Sequence, residues 1–319
     1  MKKVSIMVPC YNEEENVVPM SRALVEQMEQ LPQYDYEILF IDNCSQDNTR
    51  VLLRGICAEN PKIRAIFNSK NFGQFNSPYY GICQTTGDCT ISVCCDFQDP
   101  VDMIPKFLEE WEAGNKIVIG IKTSSKESKL MYFLRSIYYK LIRKLSKVEQ
   151  IEHFTGFGLY DKSFVDVLRN LDDSTPFLRG IVAELGPKIK RVEYEQAKRR
   201  AGKTSNNFFS LYDAAMLSFT SYTKVGMRLA ELLGLLMCGG SAVAAVICLI
   251  LEIINGAWIS SLAPILLTIL FVGGLQLFFI GFAGEYIMSM NARVMKRPLV
   301  IEEERLNFED AAQKQETNV

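Results

Sequence analysis

The sequence predicts an α/β domain built on a mostly parallel sheet, followed by more apolar helices. Short apolar segments alternate with helical segments between residues 4 and 122, a pattern typical of strands joined by crossover helices. Each apolar segment runs into a polar loop, so these loops should meet at the sheet edge where ligands bind in open α/β folds. The high hydrophobic content, 48% of 319 residues, is concentrated towards the C-terminus.

The predicted elements follow in order from the N-terminus. The first strand covers residues 4–8, and Asn12 is the expected cap of a helix that begins with the glutamates at 13–15 and continues to about residue 30. The remaining predicted strands lie at 36–41, at 64–67, from 91 into the turn that ends at Pro100, and at 116–122. Helices are predicted after the strands at 36–41 and 64–67.

Two carboxylates, those of Asp96 and Asp99, follow the strand that begins at Ile91. Carboxylate oxygens suit Mg²⁺ or Mn²⁺, and proteins commonly hold Mg²⁺ with one or two carboxylates plus substrate phosphates. The turn therefore predicts a metal-bridged diphosphate site. The alternative is an acidic turn that only caps the next helix.

Charge and cysteine usage exclude several classes of protein. The net charge is −2 and the pI about 5.7, so no overall basic field indicates a nucleic-acid partner. None of the nine cysteines forms a Cys-x-x-Cys pair, and several lie in apolar segments. We therefore expect reduced thiols, with neither a zinc site nor a disulfide framework.

Four motifs occur in order and together resemble the family 2 glycosyltransferases of GT-A fold. They are VPCYNEEE at 8–15, IDNCSQDNT at 41–49, NFG at 71–73 and DFQDP at 96–100. Within that family the chain is most similar to the polyprenyl-phosphate glycosyltransferases, the group of dolichol-phosphate mannose synthase and the bactoprenol glucosyltransferases. The resemblance covers nearly the whole chain.

The resemblance implies an inverting enzyme that moves a sugar from a nucleotide diphosphate sugar, expected to be UDP-linked, to a polyprenyl phosphate, with Mg²⁺ or Mn²⁺ as cofactor. Asp42 would contact the base, and Asp96 the metal and the diphosphate. An Asx turn after the strand is the structural alternative for Asp42. The implied nucleotide-sugar pocket contains Pro9, Tyr11, Glu13, Asp42, Asn71, Asp96 and Gln98.

Catalysis is expected from Asp96, Asp99 and Arg199. The acceptor phosphate would meet cations from three segments, because Lys and Arg bind phosphate and Arg does so with two parallel hydrogen bonds. These cations are Lys122, Lys126, Arg135, Arg199 and Lys203.

Two positions depart from the family pattern. Cys94 stands where relatives carry the first carboxylate of Asp-x-Asp, and a mostly neutral, soft thiol suits Mg²⁺ poorly. Gly156 stands where many relatives carry an Asp that is a candidate base. His153, the one histidine, is expected to be structural rather than catalytic. A phosphate acceptor needs no base, since its second pKa is about 6.

The C-terminal part predicts membrane anchoring. Residues 232–251 and 262–283 contain no charged side chain, and each stretch approaches the roughly 20 residues that span a bilayer. Lys and Arg flank the pair and are missing from the linker at 252–258, which favours both termini in the cytosol. A basic amphipathic helix at 129–147 also suits a membrane surface.

The predicted organisation is therefore a membrane protein of four parts, in the inner or plasma membrane if bacterial. The parts are a cytosolic GT-A domain at 1–205, a juxtamembrane amphipathic helix at 206–228, two transmembrane helices at 229–290 and a cytosolic tail at 291–319. The expected partners are a nucleotide sugar, a polyprenyl phosphate and the membrane, and a homo-oligomer is left open.

Two other functions are alternatives to this one. A processive polysaccharide synthase would carry a Gln-x-x-Arg-Trp motif, which neither Trp111 nor Trp258 completes. A non-catalytic protein of this fold that binds polyprenyl phosphate or assembles a partner is slightly favoured by Cys94 and Gly156.

Overall fold

The computed structural model describes residues 1–123, 151–171, 173, 176–197, 199–201, 216, 236, 250, 254, 262–295 and 297–308. Its strands are β1 Lys2–Cys10, β2 Tyr34–Asp42, β3 Ile63–Asn68, β4 Cys89–Ser92, β5 Ile117–Lys122, β6 Phe154–Asp161, β7 Ile189–Tyr194 and β8 Glu302–Leu306. Its α-helices are α1 Val17–Glu29, α2 Thr49–Glu59, α3 Gly73–Cys83, α4 Ile104–Glu112, α5 Lys162–Asn170, α6 Leu178–Leu185 and α7 Leu262–Val294; a short 3₁₀ turn, Val101–Met103, precedes α4.

All the described strands join one sheet in the order β7-β5-β6-β4-β1-β2-β3-β8. Strand β1 pairs in parallel with β2 and β4, β2 with β3, and β5 with β7, whereas β6 and β8 pair antiparallel to their neighbours. Strands β1 to β5 therefore run in one direction and end at the same edge. The predicted α/β architecture with a mostly parallel sheet is confirmed.

Helices cover both faces of the sheet, so its central strands are apolar on both sides. Alternate residues of β1 enter two separate layers: Ile6 and Val8 pack with α1, α2 and α4, while Met7 packs with α3, α5 and α6. This double burial explains why the central strands read as continuous apolar runs in the sequence. It also leaves the strand ends as the polar part of the sheet.

The first helix begins later than the sequence predicts. Helix α1 starts at Val17, and Asn12 lies outside it with φ 54°. The backbone N–H groups of Asn12 and Glu13 donate instead to the side chains of Ser45 and Thr49, which belong to the next connection. The prediction was wrong because these long-range partners replace the N-terminal turn of a helix.

Three strands, β6, β7 and β8, were missed from the sequence. Strand β7 pairs in parallel with β5 at one side of the sheet. Strand β6 fills the gap between β4 and β5, and β8 extends the opposite side of the sheet by pairing antiparallel with β3. Asn307, just after β8, donates its side-chain amide to the carbonyls of Cys57 and Ile63 at 2.6 and 2.7 Å. Part of the predicted cytosolic tail is therefore a strand of the sheet.

The predicted helix at 129–147 and most of the first apolar stretch, 232–251, fall outside the described residues. The second stretch, 262–283, lies within α7, a helix of 33 residues. Among the helices that the structure describes, none is long and apolar enough to cross a membrane.

A buried carboxylate ties the early strands together away from the ligand-binding edge. Glu37 accepts hydrogen bonds from Ser5 Oγ and from the backbone and side chain of Thr86, and forms ion pairs with Lys3 at 2.7 Å and Arg64 at 2.8 Å. Desolvation raises the pKa of Glu37, but the bonds from Lys3, Ser5 and Thr86 outweigh it and leave the pKa lowered.

We expect Glu37→Gln to destabilise the protein by about 3 kcal/mol, because it leaves two cations without their buried partner. Since the folded pKa lies below the ordinary value of 4.5, this stabilisation is present above pH 4.5 and is lost as the pH falls through the lowered pKa. Denaturant unfolding at pH 7 and at acid pH measures it. Asp35→Asn, which breaks an exposed pair with Lys62, is the control; an equal loss in both variants would contradict the assignment.

Candidate active site

Three loops at the shared edge contain backbone strain. Asn12, Cys44 and Phe97 have φ values of 54°, 64° and 61°, and they follow β1, β2 and β4 respectively. Non-glycine residues adopt this region only where the surroundings hold them, and such positions cluster at functional sites. The strained residues therefore lie at the same edge of the sheet as the sequence motifs.

The loops after β1 and β2 are connected by reciprocal hydrogen bonds. Asn12 donates its backbone N–H to Ser45 Oγ at 2.8 Å, and its side-chain oxygen accepts from the Gln46 N–H at 2.8 Å. Glu13 donates its N–H to Thr49 Oγ1 at 2.9 Å. The two loops thus form one unit, which positions Tyr11 and Glu13 at the edge.

Asp42 lies beneath this unit and has no exposed surface. Its carboxylate accepts from the Ser45 N–H at 3.1 Å and lies 3.4 Å from the Arg50 Nε. Desolvation raises the pKa of Asp42, while Ser45 and Arg50 oppose the rise. The carboxylate thus hydrogen-bonds to the backbone of its own loop, as in the structural alternative for this residue. The predicted contact with a base requires that the carboxylate be uncovered, and it stays a prediction.

Asp96 faces the open side of the turn after β4. Its side chain is 13% exposed, and its Oδ1 accepts from the Gln98 N–H at 3.1 Å. Its Oδ2 lies 3.9 Å from Arg199 Nη1, and its backbone carbonyl accepts from the Arg200 N–H at 3.3 Å. The carboxylate is therefore oriented by its own turn and remains accessible to a ligand.

Asp99 points the other way and is 3% exposed. Its carboxylate accepts from the Cys94 N–H and from the Tyr194 hydroxyl, each at 3.1 Å. Desolvation raises its pKa. These contacts make Asp99 an internal support of the turn that presents Asp96. The catalytic role expected for Asp99 stays a prediction.

The donor set fits a divalent cation held by Asp96 together with a substrate diphosphate. Cys94 keeps exposed surface, yet the pKa of its thiol is raised well above the ordinary value, by desolvation among the surrounding protein atoms and then by Asp99 and Asp96. A protonated thiol contributes little to Mg²⁺ or Mn²⁺ binding. No group of three or more His, Cys, Asp or Glu within the described ranges could hold a metal by itself, so phosphate oxygens are needed to complete a site.

Arg199 joins the loop after β1 to the turn after β4. Its Nη2 donates to Glu13 Oε1 at 2.5 Å and its Nε to the Ala201 carbonyl at 2.9 Å. The other Glu13 oxygen accepts from Asn16 at 2.6 Å. Desolvation raises the pKa of Glu13, and the Asn16 bond and the Arg199 charge oppose it. Arg199 was predicted at the acceptor phosphate; it lies beside two residues predicted to bind the donor.

Of the remaining residues predicted to bind the donor or the acceptor phosphate, some lie in the described structure and some outside it. Pro9 lies in β1, and the Asn71 side chain accepts from Asn43 at 2.8 Å. Lys122 ends β5, at the same edge of the sheet as the end of β4. Lys126, Arg135 and Lys203 lie outside the described residues.

Gly156, which stands where many relatives carry Asp, and the nearby His153 both have left-handed backbone conformations. Gly156 has φ 108°, and a Cβ built there meets nothing within 4 Å, so space is free but the backbone disfavours any side chain. His153 is exposed, also with positive φ, 61°. An Asp at position 156 would therefore carry backbone strain in this conformation.

Sequence reasoning missed three residues that shape the site: Asn43, Arg50 and Tyr194. Asn43 accepts from the Phe72 N–H at 2.9 Å and donates to Asn71, so it joins the motif at 41–49 to that at 71–73. Its place inside a motif was an available signal. Arg50 and Tyr194 act through contacts that local patterns do not encode.

Comparison with known proteins identifies the family. Residues 5–169 match the model of glycosyl transferase family 2. A prophage bactoprenol glucosyl transferase homolog of Escherichia coli K12 is 31% identical over 94% of this chain and 98% of its own length. The chain belongs to glycosyl transferase family 2. The bactoprenol glucosyl transferase of Shigella phage SfX is 31% identical over 93% of this glycosyltransferase and 97% of its own length.

Solved structures similar to the glycosyltransferase are more distant. Glucosyl-3-phosphoglycerate synthase from Mycobacterium tuberculosis, in complex with Mn²⁺, UDP and phosphoglyceric acid, is 16% identical with a TM-score of 0.47, over 69% of this chain and 76% of that one. S. aureus TarS 1–349 in complex with UDP-GlcNAc is 16% identical with a TM-score of 0.45, over 69% and 66%.

The two aspartates of the turn should separate by their effects on stability and activity. We expect Asp96→Asn to leave the unfolding temperature of the glycosyltransferase nearly unchanged and to remove almost all transfer. Asp99→Ala leaves the Cys94 N–H and the Tyr194 hydroxyl without their buried acceptor, and should cost about 2 kcal/mol of stability.

Thermal unfolding and an initial-rate assay on the same preparations measure both effects. Tyr194→Phe removes only one of the two bonds to Asp99 and is the matched intermediate. A large loss of stability in Asp96→Asn, or full activity in that variant, would contradict the division of roles.

Proposed function

We propose that this glycosyltransferase moves a sugar from a nucleotide diphosphate sugar, UDP-linked, to a polyprenyl phosphate at the cytosolic face of a membrane. The observation that carries the proposal is the full-length similarity to bactoprenol glucosyl transferases, which covers 94% of the chain and so extends beyond the family match that ends at residue 169. The arrangement of Asp96 and Arg199 supports the donor half of the reaction.

On the donor side, Asp96 would hold Mg²⁺ or Mn²⁺ together with the diphosphate. When bound, the metal would neutralise the charge that develops on the leaving diphosphate. The Gln98 N–H keeps the Asp96 carboxylate oriented, and Arg199 places a guanidinium within 3.9 Å of it. That guanidinium is positioned to contact phosphate oxygens at the same point.

On the acceptor side, the lipid phosphate would attack the anomeric carbon with one of its own oxygens while the bond to the diphosphate breaks, which inverts the configuration. Since a phosphate monoester is largely a dianion at neutral pH, no base has to remove a proton. The difficulty is the repulsion between two anionic groups, which nearby cations reduce. Arg199 and Lys122 are the described cations proposed for this task.

Membrane attachment is part of the proposal and rests on the sequence. The uncharged stretches at 232–251 and 262–283 would cross the bilayer, with the cationic flanks and the catalytic domain on the cytosolic side. A lipid acceptor requires a catalytic domain at the membrane surface, because the lipid phosphate lies there.

A purified full-length preparation, radiolabelled UDP- and GDP-sugars and a polyprenyl phosphate test the proposal directly. Labelled lipid should form from a UDP-sugar in the presence of Mg²⁺ or Mn²⁺ and should be lost with a chelator. Nucleotide binding without any labelled lipid across the panel would favour the non-catalytic alternative, for which Cys94 and Gly156 are the supporting observations. Transfer to a growing polysaccharide instead of lipid would contradict the acceptor.

Arg199→Ala should reduce transfer on the order of 100-fold, the usual effect of removing one group that stabilises developing charge. The loss should be greatest at low lipid concentration.

His153→Ala should change the rate little, because the acceptor needs no base. The activity should fall on the acidic side near the second pKa of the lipid phosphate, about 6. If His153→Ala abolished turnover while both substrates still bound, a histidine base would be operating.

A further inference from the structure

Strand β8, which follows the apolar helix α7, lies near helix α2 and the loop at 43–48 that precedes it. Strand β8 pairs with β3, so that Glu304 lies opposite Phe67 and Glu302 opposite Asn68. Helix α2, which begins directly after the loop at 43–48, packs close enough to β8 for its arginines to reach the acidic side chains of that strand. A short acidic strand thus faces the first turns of α2.

Arg50 contacts two carboxylates from different parts of the chain. Its Nη2 donates to Glu303 Oε2 at 2.7 Å, and its Nε lies 3.4 Å from Asp42 Oδ2. The guanidinium packs over the ring of Phe67, with 5.1 Å to the ring centroid, and the side chain is 18% exposed. One cation therefore compensates both the buried carboxylate of Asp42 and the carboxylate of Glu303 on β8.

The contact between Arg50 and Asp42 is electrostatic rather than a formed hydrogen bond. The buried Nε of Arg50 has no hydrogen-bond partner among the described residues, although Asp42 is near. The guanidinium is held by Glu303 and Phe67, so these residues determine how it faces Asp42. Asp42 in turn holds Ser45, whose hydroxyl accepts from Asn12 in the neighbouring loop.

The adjacent pair provides an internal comparison. Arg54, one turn further along α2, donates to Glu304, the next residue of β8, at 2.6 Å and also packs over Phe67, at 4.9 Å. The Arg54–Glu304 pair thus anchors the same strand to the same helix. It forms no ion pair with Asp42 within the described structure.

We propose that Glu303 and Arg50 are positioning residues for the nucleotide pocket. Strand β8 would stabilise the loop at 43–48 through the path Glu303, Arg50, Asp42 and Ser45, so that residues after the apolar helix α7 influence donor binding. The inference rests on the proposed function in one respect, namely that this loop forms part of the donor site. It assigns to the C-terminal strand a role that the sequence motifs do not indicate.

The test compares Glu303→Gln with Glu304→Gln in the full-length protein. The affinity for UDP and for GDP with Mn²⁺ is measured by titration calorimetry, the donor KM and kcat by transfer assay, and stability by thermal unfolding. Glu303→Gln should weaken binding of the preferred nucleotide by about fivefold, a typical effect for a residue that acts through others. The donor KM should rise with kcat nearly unchanged. The two variants should lower the unfolding temperature by similar amounts, because each loses one ion pair between α2 and β8. Glu304→Gln should leave nucleotide affinity unchanged.

A charge exchange separates anchoring from positioning. The double variant Arg50→Glu with Glu303→Arg restores the attraction between α2 and β8 but places a carboxylate beside Asp42, so it should regain stability and not nucleotide affinity. The exchange Arg54→Glu with Glu304→Arg should leave both near the wild-type values. Recovery of nucleotide affinity in the first exchange would overturn the inference.

The failure of this inference is distinguishable from failure of the proposed function. Asp42→Ala should weaken nucleotide binding if the loop belongs to the donor site. If Asp42→Ala weakens it while the Glu303 and Glu304 variants behave alike, the positioning role is wrong and the donor site stands. If wild type binds neither nucleotide, or Asp42→Ala has no effect, the donor site itself is wrong and the inference falls with it.

Discussion

The accumulation of carboxylates at one edge of the sheet is the constraint on which the site depends. Because β1, β2 and β4 run in the same direction, Glu13, Asp42, Asp96 and Asp99 end near one another. Like charges that are brought together in a partly buried site repel one another unless they are compensated. Arg50 lies beside Asp42, Arg199 pairs with Glu13, and Asp99 is buried under two hydrogen-bond donors. Of the three carboxylates that lie beside a cation, Asp96 has the most distant one, Arg199 at 3.9 Å, and its side chain is 13% exposed, so it is the carboxylate of this group best prepared for an added cation.

The same balance determines how an anionic donor can enter. A diphosphate cannot approach this edge without cations, since the carboxylates of Glu13 and Asp96 would repel it. Arg199 already lies beside both carboxylates. A divalent cation that arrives with the ligand would compensate Asp96, so that the guanidinium could also contact phosphate oxygens. The connected loops after β1 and β2 keep this arrangement in place, because Asn12 and Ser45 hold the strained backbone that presents Glu13.

The parts predicted from sequence are those that local patterns encode. Apolar segments and the polar turns after them were enough for β1 to β5 and for the position of Asp96 at a strand end. The orientation of Asp99 was not predictable, since it depends on Tyr194, which is 95 residues away. The start of α1 was misplaced because Thr49 takes the Glu13 N–H. Strand β8 was missed because its acidic sequence resembles a solvated tail until Arg50 and Arg54 supply the opposite charge.

The two departures from the family pattern become consistent with each other once the acceptor is considered. Cys94 removes a metal ligand, yet Asp99 and Cys94 together still shape the turn that presents Asp96. Gly156 removes a candidate base, and its φ of 108° shows that the backbone there suits glycine. An alcohol acceptor would make the second loss serious, because an alcohol must give up a proton. A phosphate acceptor is already ionised, so under the proposed function the chain needs no base, and it needs cations near the two phosphate groups. Arg199 beside Asp96 meets that need with a residue that the departures leave untouched.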